Sequence, residues 1–232
     1  MSSGDSVTSY DTEGRIKQVE YAMITVNLGT TTIGVKLDDC VIIVSERKLT
    51  NKLQIPQSVK KHFKIYDKIL MGCSGIITDA PTIIDRCMSL CINHESIFGE
   101  QMPIKELKNE ICAMALQFSE SDIHRKIYSR PFGVSMLLAS HENEETKLFC
   151  IDPSGSSVSY KAYSIGSGQE TVNSQLEENF SSFTDKDTTI KILIKILRNV
   201  MKDELDSNNV EISTVSNEGV VYYTPQMIEN YV

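Results

Sequence analysis

Gly29-Thr30-Thr31-Thr32-Ile33-Gly34-Val35-Lys36 is the stretch on which the reading of this chain turns. Ile33, Val35 and Leu37 alternate with Thr32, Gly34 and Lys36, the period-two pattern of a half-buried strand. Asp38-Asp39 supplies a turn and Val41-Ile42-Ile43-Val44 a fully buried partner, so residues 31–44 predict a hairpin. The stretch also poses a chemical question. A threonine that begins a chain has a free α-amine of pKa about 7.7 to 8.0, able to take the proton of its own hydroxyl. A threonine within a chain has an amide there, and lacks a general-base contribution of about 10²- to 10⁴-fold. Whether Thr30 is ever a chain end therefore separates a hydrolase from a protein of another kind.

The 232 residues are 41% hydrophobic, adequate for the core of one large domain. A formal charge of -8, with no Lys/Arg-rich run interleaved with aromatics, argues against nucleic acid as a partner. The first ten residues are polar and lack a charged start followed by an apolar run, and no stretch approaches the roughly eighteen apolar residues of a membrane helix. The expectation is a soluble intracellular chain with no membrane partner. Six cysteines without a CxxC pair read as reduced thiols, and no disulfides are expected.

Residues 1–9 contain too little apolar surface to offset the entropy of ordering and read as a flexible arm. Residues 11–26 predict an amphipathic helix: Asp11 as its cap, Glu13 in the first turn, a Glu13–Lys17 pair, and Val19, Ala22, Met23 and Val26 on one face. After the hairpin, residues 45–58 are polar and contain Pro56, which predicts a loop; strands around 63–65 and 69–73 follow, then a turn at Gly75. A helix starts near Asp79 with Pro81 in its first turn and Ile83, Cys87, Leu90 and Cys91 on one face. A second, over 103–118, buries Leu107, Ile111, Met114 and Phe118. Residues 132–140, 147–152 and 157–163 read as three antiparallel strands, the last two joined by Asp152-Pro153-Ser154-Gly155. A helix with Val172 and Leu176 follows Gly166-Ser167-Gly168, and a longer one over 187–205 turns Ile190, Leu193, Ile194 and Leu197 inward. Strands at 210–215 and 220–223 close the core, and Pro225 opens a terminal helical turn. Strands and helices come in blocks rather than alternating units, which predicts an α+β sandwich of two antiparallel sheets with helices outside.

Several local patterns carry no chemistry. Cys87, Cys91 and His94 share a helical face at metal-ligand spacing, yet no fourth ligand is near, and they read as core residues. Gly166-Ser167-Gly168 lacks the third glycine of a dinucleotide loop, and Gly72-Cys73-Ser74-Gly75 is not a nucleophile elbow. Lys202-Asp203-Glu204-Leu205 spells a retention signal but is internal. No cofactor and no metal are expected.

Glu13-Gly14-Arg15-Ile16-Lys17-Gln18-Val19-Glu20-Tyr21-Ala22, followed by Gly29-Thr30-Thr31-Thr32-Ile33-Gly34, resembles the entry of proteasome α subunits. The resemblance continues through Ser58-Val59-Lys60-Lys61, Cys73-Ser74-Gly75 with Asp79-Ala80, Ser129-Arg130-Pro131-Phe132-Gly133-Val134, Asp152-Pro153-Ser154-Gly155 and Ile165-Gly166-Ser167-Gly168. Val210-Glu211-Ile212-Ser213-Thr214-Val215 and the spacing from Gly29 to Lys61 favour one α type in particular. The resemblance implies a four-layer αββα sandwich like that of the N-terminal-nucleophile hydrolases, with residues 1–232 as one α-type domain. It implies a non-catalytic structural subunit of the outer α ring of the 20S core, in cytoplasm and nucleus. The implied partners are six other α subunits, the β ring below, and regulatory-particle ATPase tails or other activators above.

Residue by residue, the resemblance places Arg15, Gln18, Glu20 and Tyr21 on a helix lying across the top of the ring against its neighbours. Lys61 matches the lysine of the pocket that receives an activator's C-terminal carboxylate, a partner that suits a point charge; the plain alternative is a solvated surface lysine. His62 stands where the family has an aliphatic residue. Ser3-Gly4-Asp5 occupies the place of the Tyr-Asp-Arg gate triplet on a short arm, which implies a secondary role in gating. The alternative is a β-type subunit, released by cleavage between Gly29 and Thr30 to act as a threonine hydrolase. Aligned that way, Lys61 matches the catalytic lysine and Asp203 falls near a supporting aspartate, but Glu46 replaces an aspartate and Asp206 replaces a serine. A disposable leader also needs no amphipathic helix, so Thr30, Glu46 and Asp206 read as degenerate catalytic positions.

Overall fold

The computed structural model describes residues 7–51, 53–120, 122, 124, 127–201 and 204–232. The hairpin stands: β1 (Thr32–Lys36) pairs antiparallel with β2 (Cys40–Glu46), Gly34 opposite Ile43. Every residue of β2 is buried, because Ile42 and Val44 face a helical layer while Val41 and Ile43 face a second sheet. A strand covered on both faces has no use for polar alternation, hence its unbroken apolar run.

Eight more strands complete two five-stranded antiparallel sheets. In the second sheet β3 (His62–Tyr66), β4 (Ile69–Gly75), β5 (Val134–Glu142), β6 (Glu145–Ile151) and β7 (Ser157–Ser159) lie side by side in that order. The first sheet adds β8 (Ala162–Ile165) beside β1, and β9 (Val210–Ser216) and β10 (Gly219–Tyr222) beyond β2. Val41, Ile43, Leu70, Leu137, Leu148 and Val215 fill the space between the sheets.

Helices α2 (Ala80–Phe98) and α3 (Ile104–Leu116) cover the second sheet, burying Ile83, Cys87, Cys91, Leu107 and Ile111. Helices α4 (Gln169–Asn179) and α5 (Lys186–Val200) cover the first with Val172, Leu176, Ile190, Leu193 and Leu197. The order of layers is therefore αββα. A last helical turn, α6 (Pro225–Ile228), is capped by Thr224, and α5 by Asp185, whose carboxylate accepts from Thr188 N at 3.0 Å. All six cysteines are free thiols, four of them buried. Among the described residues no helix is long and apolar enough to cross a membrane.

Three elements differ from expectation. The first helix, α1, spans Lys17–Val26 rather than 11–26. Gly14 takes a φ of +76°, outside the helical region, and Asp11 Oδ1 accepts from Glu13 N and Arg15 N to close a separate turn. Glu13 consequently pairs with Arg15 and not with Lys17. The run 157–163 is two strands in different sheets: Tyr160 N still bonds Leu148 O of β6, whereas Lys161 O already accepts from Lys36 N of β1. The rings of Tyr160 and Tyr163 stack at this crossing, centroids 4.0 Å apart. Helix α5 stops at Val200, where Met201 becomes extended. Ser3, Gly4, Asp5 and Asp203 lie outside the described residues.

Candidate functional site

Thr30 and Thr31 lead into β1 at the end of the sandwich where α1 arrives. Thr30 Oγ1 donates to Glu46 O at 3.0 Å. Lys61 enters from just before β3, and its Nζ donates to Thr30 Oγ1 and Thr30 O, both at 2.8 Å, and to Thr31 O at 3.1 Å. Three donors meet three oxygens, and the side chain is sealed: Lys61 is 2% exposed. It is neither solvated nor on the surface. Burial lowers its pKa to about 7, against the pull of the Glu46 and Glu211 carboxylates, which favour the charged form.

The surrounding charges balance. Glu211 Oε2 accepts from Lys61 N at 2.9 Å and lies 3.4 Å from Arg47 Nη2. Arg47 also donates through Nε to Val59 O and through Nη1 to Asn208 O, at 2.7 and 3.1 Å. Lys61 and Arg47 thus face Glu46 and Glu211, two cations to two anions, which keeps a buried cluster near neutrality. Behind them His62 is fully buried, Nε2 2.7 Å from Ser45 Oγ and Nδ1 2.9 Å from Ser213 Oγ, and burial lowers its pKa to about 4.

The chain upstream of Thr30 is locked over this cluster. Ala22 and Val26 anchor α1 on the sandwich end. Gly29 then crosses β4 so closely that a Cβ on it would lie 2.3 Å from Gly75 N. Gly29 O accepts from Ser167 N at 2.8 Å, Thr30 O from Ser74 Oγ at 2.7 Å, and Thr31 Oγ1 from Gly168 N at 3.2 Å. Thr30 therefore has a hydroxyl against a lysine, as a nucleophile would, with an amide where the base belongs.

Of the positions singled out from sequence, Thr30, Glu46 and Lys61 come together. Asp206 does not join them: it is exposed, and its Oδ1 accepts from Asn208 N and Asn209 N to close its own turn. On α1, Gln18 and Tyr21 face out, and Arg15, just before the helix, reaches Glu20 at 3.3 Å. Sequence reasoning missed Arg47, Ser74 and Glu211. Only Glu211 left a signal, as a carboxylate in an otherwise uncharged strand.

Comparison with known proteins gives the same direction. The family described as proteasome subunit matches residues 26–215. A probable proteasome subunit alpha type-5 of Encephalitozoon cuniculi (strain GB-M1) is 43% identical over 226 residues, covering 97% of this chain and 97% of the relative. A probable proteasome subunit alpha type-5 of Schizosaccharomyces pombe (strain 972 / ATCC 24843) is 38% identical, covering 92% of this chain and 87% of its own. The proteasome subunit alpha type-5 of Drosophila melanogaster is 34% identical, covering 97% and 94%. With a family match over most of its length and relatives of this identity, the chain belongs to the proteasome subunit family, on its α type-5 branch.

Proposed function

We propose that the chain is a non-catalytic structural subunit of the outer α ring of the 20S proteasome core, serving ring assembly, substrate gating and activator docking in ATP- and ubiquitin-dependent protein degradation. The observation that carries this reading is the seating of α1: the segment a hydrolase would discard is packed through Ala22 and Val26 and threaded over Gly75. In the ring the chain stands among six other α subunits, between types 4 and 6, above the β ring and below regulatory-particle ATPase tails or other activators, in cytoplasm and nucleus. Arg15, Gln18, Glu20 and Tyr21 meet the neighbours. Lys61 receives the terminal carboxylate of an activator tail, and Ser3, Gly4 and Asp5 belong to an arm with a secondary part in gating.

The contact of Thr30 Oγ1 with Lys61 Nζ at 2.8 Å favours the other reading, a β-type hydrolase beginning at Thr30. Intact mass and N-terminal sequencing of the chain from purified particles separate the two. We expect residues upstream of Thr30 to be retained; a mature chain that starts at Thr30 would overturn the structural role.

A further inference from the structure

Helices α4 and α5 form the layer outside the first sheet, and they divide charge between them. On α5, Lys191, Lys195 and Arg198 recur at i, i+4 and i+7, all three exposed, and no acidic residue follows Asp187 in the helix. On α4, Glu170, Glu177 and Glu178 are exposed, and the helix contains no lysine or arginine. A neutral amide pair joins the two helices, Asn199 Nδ2 donating to Gln175 Oε1 at 3.1 Å. Among the described residues none of these six charges forms an ion pair.

Folding gives no reason for this arrangement. The inward face of α5 is buried through Ile190, Leu193, Ile194 and Leu197, and that burial is indifferent to the charges outside. A face that serves only solvation gains from acids and bases alternating at i and i+4, whereas like charges at that spacing repel. Lys191 and Lys195 stand at that spacing with no carboxylate paired to either, in a chain with 31 acidic side chains against 23 basic. Arg198, in the last turn, is favoured by the carbonyl end of the helix; Lys191, in its middle, is not.

We propose that the exposed face of α5 is a docking ridge for one acidic helix of a partner protein, a helix whose carboxylates also recur at i, i+4 and i+7. Three cations along about 10 Å of helix meet three carboxylates of the same period when the two helices lie side by side. The α4 carboxylates set the width of the ridge. Packed helices lie about 8–10 Å apart, close to one screening length at physiological salt, so Glu170, Glu177 and Glu178 repel an anion that extends beyond α5. A nucleic-acid duplex or an anionic membrane presents a broad array of phosphates that covers both helices, whereas a helix about 10–12 Å across can lie along α5 alone. The surface shares no residue with the docking role given to Lys61.

The test uses the purified particle that contains the chain and a synthetic alanine-based helix of about fifteen residues, with Glu at three positions spaced i, i+4 and i+7. The peptide is acetylated and amidated, so that it has no terminal carboxylate, and contains a photocrosslinker whose products are mapped by peptide mass spectrometry. Saturable crosslinks should fall on α5, weaken as salt is raised, and be absent when the three Glu are Gln. Lys195→Gln should raise the half-saturating concentration about twofold, and the triple change of Lys191, Lys195 and Arg198 to Gln about tenfold, the worth of exposed ion pairs. Lys195→Glu should in turn prefer a peptide with Lys at the central position, and this swap gives the answer even if the triple variant does not assemble. No saturable crosslink on α5, a midpoint unmoved by the triple variant, or no preference for the swapped peptide overturns the proposal. Binding of a DNA duplex on α5 as readily as the peptide also overturns it, since the ridge is then a general polyanion patch.

Discussion

His62 links the two sheets through a directed chain of hydrogen bonds. Ser45 Oγ donates to Thr32 Oγ1 at 2.8 Å, and Thr32 Oγ1 donates to Cys73 O at 3.0 Å. A hydroxyl has one proton to give, so Ser45 must accept from His62; the network thus assigns the imidazole proton to Nε2 and leaves Nδ1 to accept from Ser213. Every member is satisfied when the ring is neutral. Burial lowers the His62 pKa from 6.5 to about 4, and between those values the unfolded chain holds a proton that the folded chain does not. Its contribution is therefore complete above about pH 6.5 and is lost as the pH falls toward 4, by about 3 kcal/mol in all. Urea unfolding midpoints taken across that range should show the decline. His62→Leu strands the Ser213 hydroxyl and should lose about 1–3 kcal/mol near neutral pH, yet show a pH dependence shallower by one proton. Parallel slopes in the two proteins would rule out a buried neutral His62. Thr30, Glu46 and Lys61 are legible in the sequence because motif spacing names them. Ser74 and Arg47 are not, because a serine hydroxyl or a loop arginine acquires its role only when β4 and β9 are set beside β1 and β2.

Helix α1 is ten residues long, and a helix of that length is marginal on its own. No side chain caps its start, so its order comes from the docking of Ala22 and Val26 and from the clamp at its far end, where Gly29 N bonds Val26 O at 2.9 Å and Gly29 O accepts from Ser167 N. The crossing at Gly29 is the tightest point of that clamp. A Cβ there would meet Gly75 N at 2.3 Å and Gly75 Cα at 2.7 Å, backbone atoms that cannot swing aside, and Gly75 itself holds a φ of +112°. Gly29→Ala should therefore cost about 1–3 kcal/mol and expose the α1 segment to protease before the rest unfolds. Limited proteolysis with mapping of the first cut reports this directly; wild-type resistance and an unchanged midpoint would show that the two backbones do not cross so closely. The periodicity of α1, of α2 and of α3 is legible because each buries a single face against the core, and the β1–β2 hairpin is legible because β2, covered on both faces, keeps an unbroken apolar run. The break at Tyr160-Lys161 is not: a strand that changes sheets keeps its local alternation, and only its partners, β6 before and β1 after, record the change.

Four layers bury the cores of both sheets, yet α1 remains outside with one side uncovered. Tyr21, Ile24 and Leu28 are 55%, 58% and 81% exposed on the segment that Ala22 and Val26 hold down. Scattered apolar residues on a surface are ordinary, but these three, with Met23 exposed beside them on the same helix, form a strip of the kind that a partner covers. In the proposed ring that partner is a neighbouring α subunit. Exposed side chains contribute little to folding, within about 0.5 kcal/mol, whereas an aromatic anchor at an interface commonly contributes about 2 kcal/mol or more to binding. The double variant Tyr21→Ser with Ile24→Glu should therefore unfold at nearly the same urea concentration as the unaltered chain, but enter rings poorly when co-expressed with the other α subunits. Native mass spectrometry of the purified rings measures the second quantity. Val26→Asp serves as the contrast, since charging a buried anchor should lower stability and incorporation together. Full incorporation of the double variant would mean that the exposed strip of α1 is not where the neighbour binds, and the ring contact would have to be sought elsewhere on the chain.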